Sequence, residues 1–265
     1  MAFTLTEKDG LSWTSSDVLG VKHMFTRRLG GVGEYPYCSE PGPEADELRE
    51  RVRALWLRLR AAGEFAEGGF CFTRQVHGTH IRRVGAADRL MPPLLVNPGD
   101  CDGLVTAEAG VPLCVFTADC VPVLLFEPEA GVACAVHSGW RGTVADMMGA
   151  AVTAVTSLGG RAERIRAAVG PAISRCCFET GPEVRQAVEA LLGADAEGLC
   201  PPEDGVPGKY MVDLKEANRR RLLQLGLRAE NIDVSPDCTV CMSDVYWSHR
   251  ATGGRRGTMA SIIQL

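Results

Sequence analysis

The fold of this chain is decided by residues 111–142, which read VPLCVFTADCVPVLLFEPEAGVACAVHSGWRG. This stretch contains three near-continuous apolar runs, Val111 to Phe116, Val121 to Phe126 and Val132 to Val136, each bounded by turn residues. Short apolar runs of this kind are typical of strands that are covered on both faces. We therefore predict that they form the centre of a sheet.

Helices and further strands are predicted on either side of this centre. Apolar residues recur at helical spacing over Ala45 to Ala62 and predict an amphipathic helix. A second helix is predicted over Val144 to Leu158, with Thr143 as its N-cap and a stop at Gly159-Gly160. The other predicted elements are helices at Pro182 to Leu192 and Leu214 to Leu225, and strands at Leu11 to Thr14, Val21 to Thr26, Ile232 to Val234, Asp244 to Ser248 and Met259 to Leu265, with a β-like pattern over Gly69 to Val84.

Loops are predicted over Arg27 to Glu44 and over Asp88 to Asp102, where glycine or proline interrupts both the helical and the strand periodicity of apolar residues. Together the elements predict an α+β (mixed α/β) fold, a single domain with mixed β-sheets flanked by helices. At 265 residues we expect this domain to span residues 1–265.

Composition restricts the class of partner. The net charge of −5 argues against nucleic acid and against an anionic membrane surface, because either would require a basic stripe. Small molecules are the expected partners, and the oligomeric state is left open. The first ten residues do not resemble a secretory signal, and the eleven cysteines are an odd number for a disulfide framework. We therefore expect reduced thiols and a cytoplasmic protein.

Three candidate metal ligands lie next to predicted strand ends. They are His77, Cys120 and His137, two imidazoles and a thiolate, which is a donor set that zinc favours. Three protein ligands, rather than four, would leave an open position and so indicate an enzyme. His80 competes with His77, and on an extended strand only one of the two could face the site.

Each of these residues also has a plain structural interpretation. A lone histidine near a strand end is usually a satisfied polar residue, and Cys120 alone is more often a buried apolar filler. The pair Cys238 and Cys241 has zinc-knuckle spacing but no second pair of similar spacing near it in sequence. The vicinal pair Cys176-Cys177 is expected to pack. Spacing alone therefore leaves the metal site undecided.

The turn after His137 is a candidate anion site. Gly139 to Gly142 carries Arg141 at a predicted helix entrance, where free backbone N–H groups favour phosphate or carboxylate. The alternative is that Arg141 pairs with a surface acid.

Four ordered motifs carry a family resemblance. They are Gln75-Val76-His77-Gly78, Thr117 to Pro122, Ala135 to Thr143 and Gly170-Pro171-Ala172-Ile173. In this order they resemble the signature segments of the laccase-domain family, also known as polyphenol oxidase laccase-like, purine nucleoside phosphorylase or peptidoglycan editing factor proteins. The resemblance covers nearly the whole chain.

The resemblance implies a single α and β domain with zinc held by His77, Cys120 and His137. It further implies phosphorolysis of adenosine, inosine, guanosine and methylthioadenosine, and deamination of adenosine. Some relatives instead edit cell-wall precursors, and this activity is the second function that we consider for this chain. Copper is disfavoured, because five histidines with no His-x-His pair cannot build a trinuclear centre.

The remaining site residues follow from the same comparison. Cys120 and His137 are expected to be catalytic as well as ligands, together with Asp119 and Arg141. Asp119 could orient a ligand, act as a base or serve as scaffold. The residues expected to bind substrate or phosphate are Arg28, Arg141, His249 and Arg250.

The closing segment departs from the family pattern. Ala251, Thr252 and Thr258 stand where relatives usually carry charged residues, and Arg255 and Arg256 could replace part of that charge. Substrate preference is therefore less well defined by the sequence than the metal site.

Three other functions remain open at this stage. Without a metal, Cys120 activated by His137 would give a cysteine hydrolase, although this mechanism has no need of His77. The second is a copper oxidase. The third is a protein without catalytic activity, in which the metal only holds strands together.

Overall fold

The structure is a computed structural model, and it describes residues 3–28, 43–92 and 98–265. Most of the predicted loop over Arg27 to Glu44, and part of that over Asp88 to Asp102, lies outside these ranges. The strands are β1 Phe3–Lys8, β2 Leu11–Ser16, β3 Lys22–Thr26, β4 Ile81–Arg83, β5 Gly103–Thr106, β6 Leu113–Thr117, β7 Val121–Glu127, β8 Val132–Ser138, β9 Arg166–Val169, β10 Glu179–Thr180, β11 Tyr210–Met211, β12 Ile232–Val234 and β13 Met259–Gln264. The α-helices are α1 Pro43–Ala62, α2 Trp140–Val144, α3 Met147–Ser157, α4 Pro182–Leu192, α5 Leu214–Gln224 and α6 His249–Thr252.

Two large sheets form the centre of the molecule. One is antiparallel with strand order β1-β2-β3-β13-β6, and the other is mixed with order β12-β9-β7-β8-β5-β4. The predicted α+β class with mixed sheets and flanking helices is confirmed. The three apolar runs are strands, but they belong to both sheets, because β6 lies in the first while β7 and β8 are neighbours in the second.

The core has three apolar clusters, which define four layers. Residues such as Leu113, Val115 and Ala135 pack between the two sheets. Helix α1 covers the outer face of the first sheet through Trp56 and Leu59. The outer face of the second sheet is covered by α3, α4 and α5. The arrangement is therefore helix, sheet, sheet, helix.

Strand β6 shows why the apolar runs are continuous. Leu113 and Val115 face the neighbouring sheet, whereas Cys114 and Phe116 face the helix layer. Alternate residues point to opposite faces of a strand, so a strand covered on both faces needs apolar residues at every position.

Three element predictions were wrong in detail. The predicted helix over Val144 to Leu158 begins at the last residue of α2, is broken at Ala145 and Asp146 and continues as α3, and Thr143 lies inside α2 instead of capping it. Residues 244–248 are a turn, a bend and irregular backbone instead of a strand, with Tyr246 N–H donating to the Met242 carbonyl. Residues 69–84 contain isolated bridges and the short strand β4.

No helix in the described part of the chain is long and apolar enough to cross a bilayer.

Candidate metal centre

The pairing of β7 with β8 brings Cys120 and His137 together. These antiparallel strands pair Val121 with Ser138 and Pro122 with His137. Cys120 comes directly before β7, and His137 is the second-last residue of β8. The two side chains therefore meet at one end of the sheet. The strand predictions for this region therefore account for two of the three ligands.

Asp102 brings His77 to the same place. Its buried carboxylate accepts hydrogen bonds from the backbone N–H groups of Val76, His77 and Gly78, at 2.8 to 3.1 Å. Its Oδ1 also lies 2.9 Å from His137 Nδ1, and its carbonyl accepts from His137 N–H. One side chain therefore fixes both histidine segments.

The ligand atoms of His77, Cys120 and His137 all lie within 4.8 Å of one another. His77 Nε2 is 3.9 Å from Cys120 Sγ, and the two imidazole rings meet edge to face. Since His137 Nδ1 faces Asp102, its Nε2 is the nitrogen left for a metal, and a carboxylate behind a histidine ligand is the usual support. Three converging N and S donors fit a thiophilic ion such as Zn²⁺.

Gly139 keeps the space between these ligands open. A Cβ atom at this position would lie 3.0 Å from His77 Cδ2 and 3.1 Å from Cys120 Sγ. A residue with a Cβ atom would therefore require His77 or Cys120 to shift, and glycine lets the three side chains approach one another next to the start of α2.

Burial and hydrogen bonding shift the pKa values in opposite directions. Burial raises the pKa of the Cys120 thiol, but hydrogen bonds from His137 and His77 outweigh it and lower that pKa to about 6. Burial lowers the pKa of His137, but hydrogen bonds with Asp102 and Cys120 outweigh it and raise that pKa to about 9. Cys120 is therefore held as the thiolate, which is the form that binds metals and the form that attacks electrophiles.

A cavity of about 330 Å³ opens beside the three ligands. Its volume lies within the range of small-molecule sites. The lining combines Cys120 and His77 with one acidic residue, Asp119, and with aromatic, apolar and basic residues, namely Ala118, Trp140, Arg141, Ile173, Phe178, Leu214, His249, Arg250 and Arg256.

Asp119 faces the protein more than the cavity. Its carboxylate accepts hydrogen bonds from Thr239 Oγ1 at 2.6 Å, Ser248 Oγ at 3.1 Å and Arg250 N–H at 2.7 Å. Its φ of 89° is unusual for a residue other than glycine. Of the roles left open by the sequence, these contacts favour a scaffold that ties α6 to the loop before Cys120.

The predicted anion-binding arginines lie in different surroundings. Arg141 is exposed at the cavity, stacks on Trp140 and forms no ion pair with an acid in the described ranges. Arg28 does not line this cavity, because its guanidinium donates to the Ser243 carbonyl and stacks over Trp247. Arg141 is therefore the better placed of the two.

His249 and Arg250 lie at the cavity as expected, and Arg256 joins them. The guanidinium of Arg250 donates to the carbonyls of Cys177 and Glu179. Arg256 Nε lies 3.4 Å from His249 Nδ1. Arg256 lines both this cavity and a smaller depression that also reaches His137, so it is available to a ligand.

His80 points away from the site, and its Nδ1 lies 3.0 Å from the Asp100 carbonyl. It is separated from His77 by a turn, not by the extended strand that the sequence predicted. Sequence reasoning missed Asp102 altogether, because the surrounding residues predicted only a loop.

Fold and site together define an α+β protein of four layers with a His-Cys-His metal-ligand set beside a small-molecule cavity. The chain belongs to the family described as multi-copper polyphenol oxidoreductase laccase, whose model matches residues 22–265. The resemblance found in the sequence is thus confirmed.

Named relatives agree with this assignment. A purine nucleoside phosphorylase of Deinococcus radiodurans is 36% identical over 97% of this chain and 94% of its own length. Purine nucleoside phosphorylase YlmD of Geobacillus stearothermophilus is 38% identical over 90% of this chain and 88% of its own. Adenosine deaminase RL5, from an unknown prokaryotic organism, is 36% identical over 68% of this chain and 70% of its own. The crystal structure of Geobacillus stearothermophilus YlmD superposes with a TM-score of 0.85 at 32% identity, covering 99% and 98% of the two chains.

Proposed function

We propose that this protein is a zinc-dependent purine nucleoside phosphorylase that also deaminates adenosine. The observation that carries the proposal is the convergence of His77, Cys120 and His137, of which His77 and Cys120 line the cavity and the buried His137 lies behind them at a smaller depression. The names of the relatives, purine nucleoside phosphorylase and adenosine deaminase, support the substrate class. Within it, adenosine, inosine, guanosine and methylthioadenosine are the substrates that the family resemblance implies. The free thiols at the described cysteines favour a reducing compartment, so we place the enzyme in the cytoplasm.

The three ligands and Asp102 have different roles at the candidate metal centre. His77, Cys120 and His137 would hold the ion, which when bound supplies Lewis acidity and lowers the pKa of a water molecule in its open position. Asp102 orients His137 by accepting from its Nδ1 and fixes the backbone that carries His77. The thiolate form of Cys120 makes the site ready to bind the ion.

The residues that line the cavity suit the two parts of the proposed substrates, a purine ring and a phosphate. Trp140 and Phe178 offer aromatic faces to a planar purine, and Ile173 adds an apolar contact. We assign the phosphate to Arg141 and Arg256, since a guanidinium binds phosphate by two parallel hydrogen bonds. In phosphorolysis a phosphate oxygen forms a bond to C1′ of the ribose while the bond from C1′ to the purine nitrogen breaks.

The test is product analysis by mass spectrometry on adenosine with the metal-loaded enzyme. With phosphate present we expect adenine and ribose 1-phosphate, and without phosphate we expect inosine and ammonia. Cys120→Ala should lose both bound zinc and both reactions. Cys200→Ser is the matched control, because Cys200 is a buried cysteine that does not line the cavity. Full activity of Cys120→Ala would contradict the proposal.

One observation favours a second candidate, a cysteine hydrolase that needs no metal. The paired Cys120 thiolate and His137 imidazolium are the charge states that such an enzyme requires. Cell-wall precursor amides are its expected substrates. Complete chelation separates the two functions, because only the hydrolase keeps full activity without metal.

A further inference from the structure

Four cysteine sulfurs meet at a second place in the molecule. The ligand atoms of Cys176, Cys177, Cys238 and Cys241 all lie within 4.8 Å of one another. From the sequence, a metal site at Cys238 and Cys241 is disfavoured because no second pair of similar spacing lies near it, and Cys176-Cys177 is expected to pack. The fold supplies the missing pair from about sixty residues upstream.

Two neighbouring parallel strands bring these pairs together. Strands β9 and β12 pair in parallel, and their continuations stay in contact through the bridge between Ala172 and Cys238. Thr239 N–H also donates to the Ala172 carbonyl. Parallel strands end at the same edge of a sheet, so the turn that follows each strand delivers its cysteines to one spot.

The spacing of the sulfurs suits a four-coordinate metal. Cys241 Sγ lies 3.5 Å from Cys176 Sγ and 3.4 Å from Cys177 Sγ. A tetrahedron with zinc–sulfur bonds of about 2.3 Å has sulfur–sulfur edges of about 3.8 Å. Both separations are slightly shorter than this edge, so the sulfurs are close enough to share one ion, and Cys241 is almost equally close to two partners.

Packing does not explain this cluster. Cys176 and Cys241 are exposed and Cys177 is half-buried, so these thiols contribute little to an apolar core. Cys238 is buried, and its sulfur accepts a hydrogen bond from Ser174 N–H. Backbone donors to sulfur are what a metal-bound thiolate requires to spread its negative charge.

A buried cation lies beside the cluster. Lys215 is only 5% exposed, and its Nζ donates to the carbonyls of Ser235 at 2.7 Å and Asp237 at 2.9 Å. The ammonium interacts electrostatically with Cys238 and Cys176. Four thiolates around a divalent ion carry a net charge of −2, and Lys215 would offset part of it.

We propose that Cys176, Cys177, Cys238 and Cys241 form a second metal centre, a closed four-thiolate site that binds Zn²⁺. Binding converts the four thiols to thiolates and releases their protons to solvent. A closed site has no position for substrate, so its role is structural. The proposal does not depend on the reaction at the first centre.

The second centre would stabilise one wall of the cavity. Thr239, next to Cys238, holds the Asp119 carboxylate, and the Cys177 carbonyl accepts from Arg250. A metal that fixes the two turns therefore also fixes the contacts that position α6.

The experiment uses Co²⁺ as a spectroscopic probe in full-length Cys120→Ala protein, prepared under reducing conditions. Removing Cys120 leaves the four-cysteine cluster as the expected metal site. We expect one Co²⁺ per chain with intense sulfur-to-cobalt charge-transfer absorption, which Zn²⁺ then displaces. The combination Cys120→Ala, Cys238→Ser, Cys241→Ser should lose this equivalent, whereas Cys120→Ala, Cys200→Ser should keep it.

A milder variant guards against a failure to fold. Cys176 is exposed, so Cys120→Ala, Cys176→Ser should fold and show weaker charge-transfer absorption from three thiolates. A Cys120→Ala protein that binds neither Co²⁺ nor Zn²⁺ would overturn the proposal. The recovery of a disulfide among these four cysteines under the same reducing conditions would overturn it equally.

Discussion

At the scale of single residues, Asp102 positions two side chains of the candidate metal centre, His77 and His137. Its carboxylate accepts three backbone N–H groups of the His77 turn and faces His137 Nδ1. Burial raises its pKa, but the hydrogen bond with His137 and those from Gly78 and Val76 outweigh burial, so the pKa of Asp102 is lowered. Asp102 is therefore ionised when it supports the histidine ligand.

We predict that Asp102→Asn weakens metal binding by about 10–100-fold, the usual effect of removing the carboxylate behind a histidine ligand. The amide has one accepting oxygen and an NH2 group in place of the other, so the His77 turn also loses a hydrogen bond. Competition with a chelator of known affinity measures the effect. Asp100→Asn is the control, because Asp100 is exposed, two residues away and paired with Arg74. Equal losses in both variants would contradict the assignment.

The sequence predicted the three ligands but not their support, for a physical reason. His137 and Cys120 could be predicted because the sequence shows where apolar runs begin and end. His137 follows the run that ends at Val136, and Cys120 precedes the run that begins at Val121. Asp102 works through backbone hydrogen bonds to a turn, and such contacts leave no periodic signal in sequence.

At the scale of elements, the junction between α2 and α3 is the main difference from the predicted helix. Asp146 lies at the junction with φ of 69°, and its side chain accepts from Gly149 N–H as the N-cap of α3. Arg221 of α5 donates to both Asp146 oxygens, at 2.9 and 2.7 Å. The apolar period of the sequence runs through this junction, so periodicity could not reveal the break.

We predict that Asp146→Ala lowers the free energy of unfolding by about 1–2 kcal/mol, because it removes the cap and strains a left-handed residue. The ion pair adds little, since both side chains are partly exposed. Urea denaturation measures the change. Asp146→Asn keeps the cap and tolerates the left-handed conformation, so it should cost less. If both variants lose the same stability, the ion pair and not the cap is responsible.

At the scale of the whole molecule, the two sheets approach closely because small residues lie between them. Ala133 and Ala135 of β8 and Ala168 of β9 are fully buried in the layer between the sheets. The sequence predicted strands covered on both faces, and this is correct. It could not show that β6 and β7 separate into different sheets, because the turn between them has the same composition as a hairpin turn.

The same layer links core packing to the metal site. Ala135 lies two residues before His137 on β8, and Ala133 lies four residues before it. With a rise of about 3.3 Å per residue, the two alanines lie about 7 and 13 Å along the strand from the ligand. A side chain that is too large at Ala135 should therefore displace His137 more than one at Ala133.

We predict that Ala135→Leu and Ala133→Leu each lower the free energy of unfolding by about 1–3 kcal/mol, because a close-packed layer has no space for added methylenes. Metal affinity should separate them, with a clear loss in Ala135→Leu and a smaller one in Ala133→Leu. Urea denaturation gives the first quantity, and chelator competition on the folded proteins gives the second. The contrary result is a loss of metal affinity that simply follows the loss of unfolding free energy in both variants. Position along β8 would then have no effect, and packing between the sheets would not set the geometry of His137.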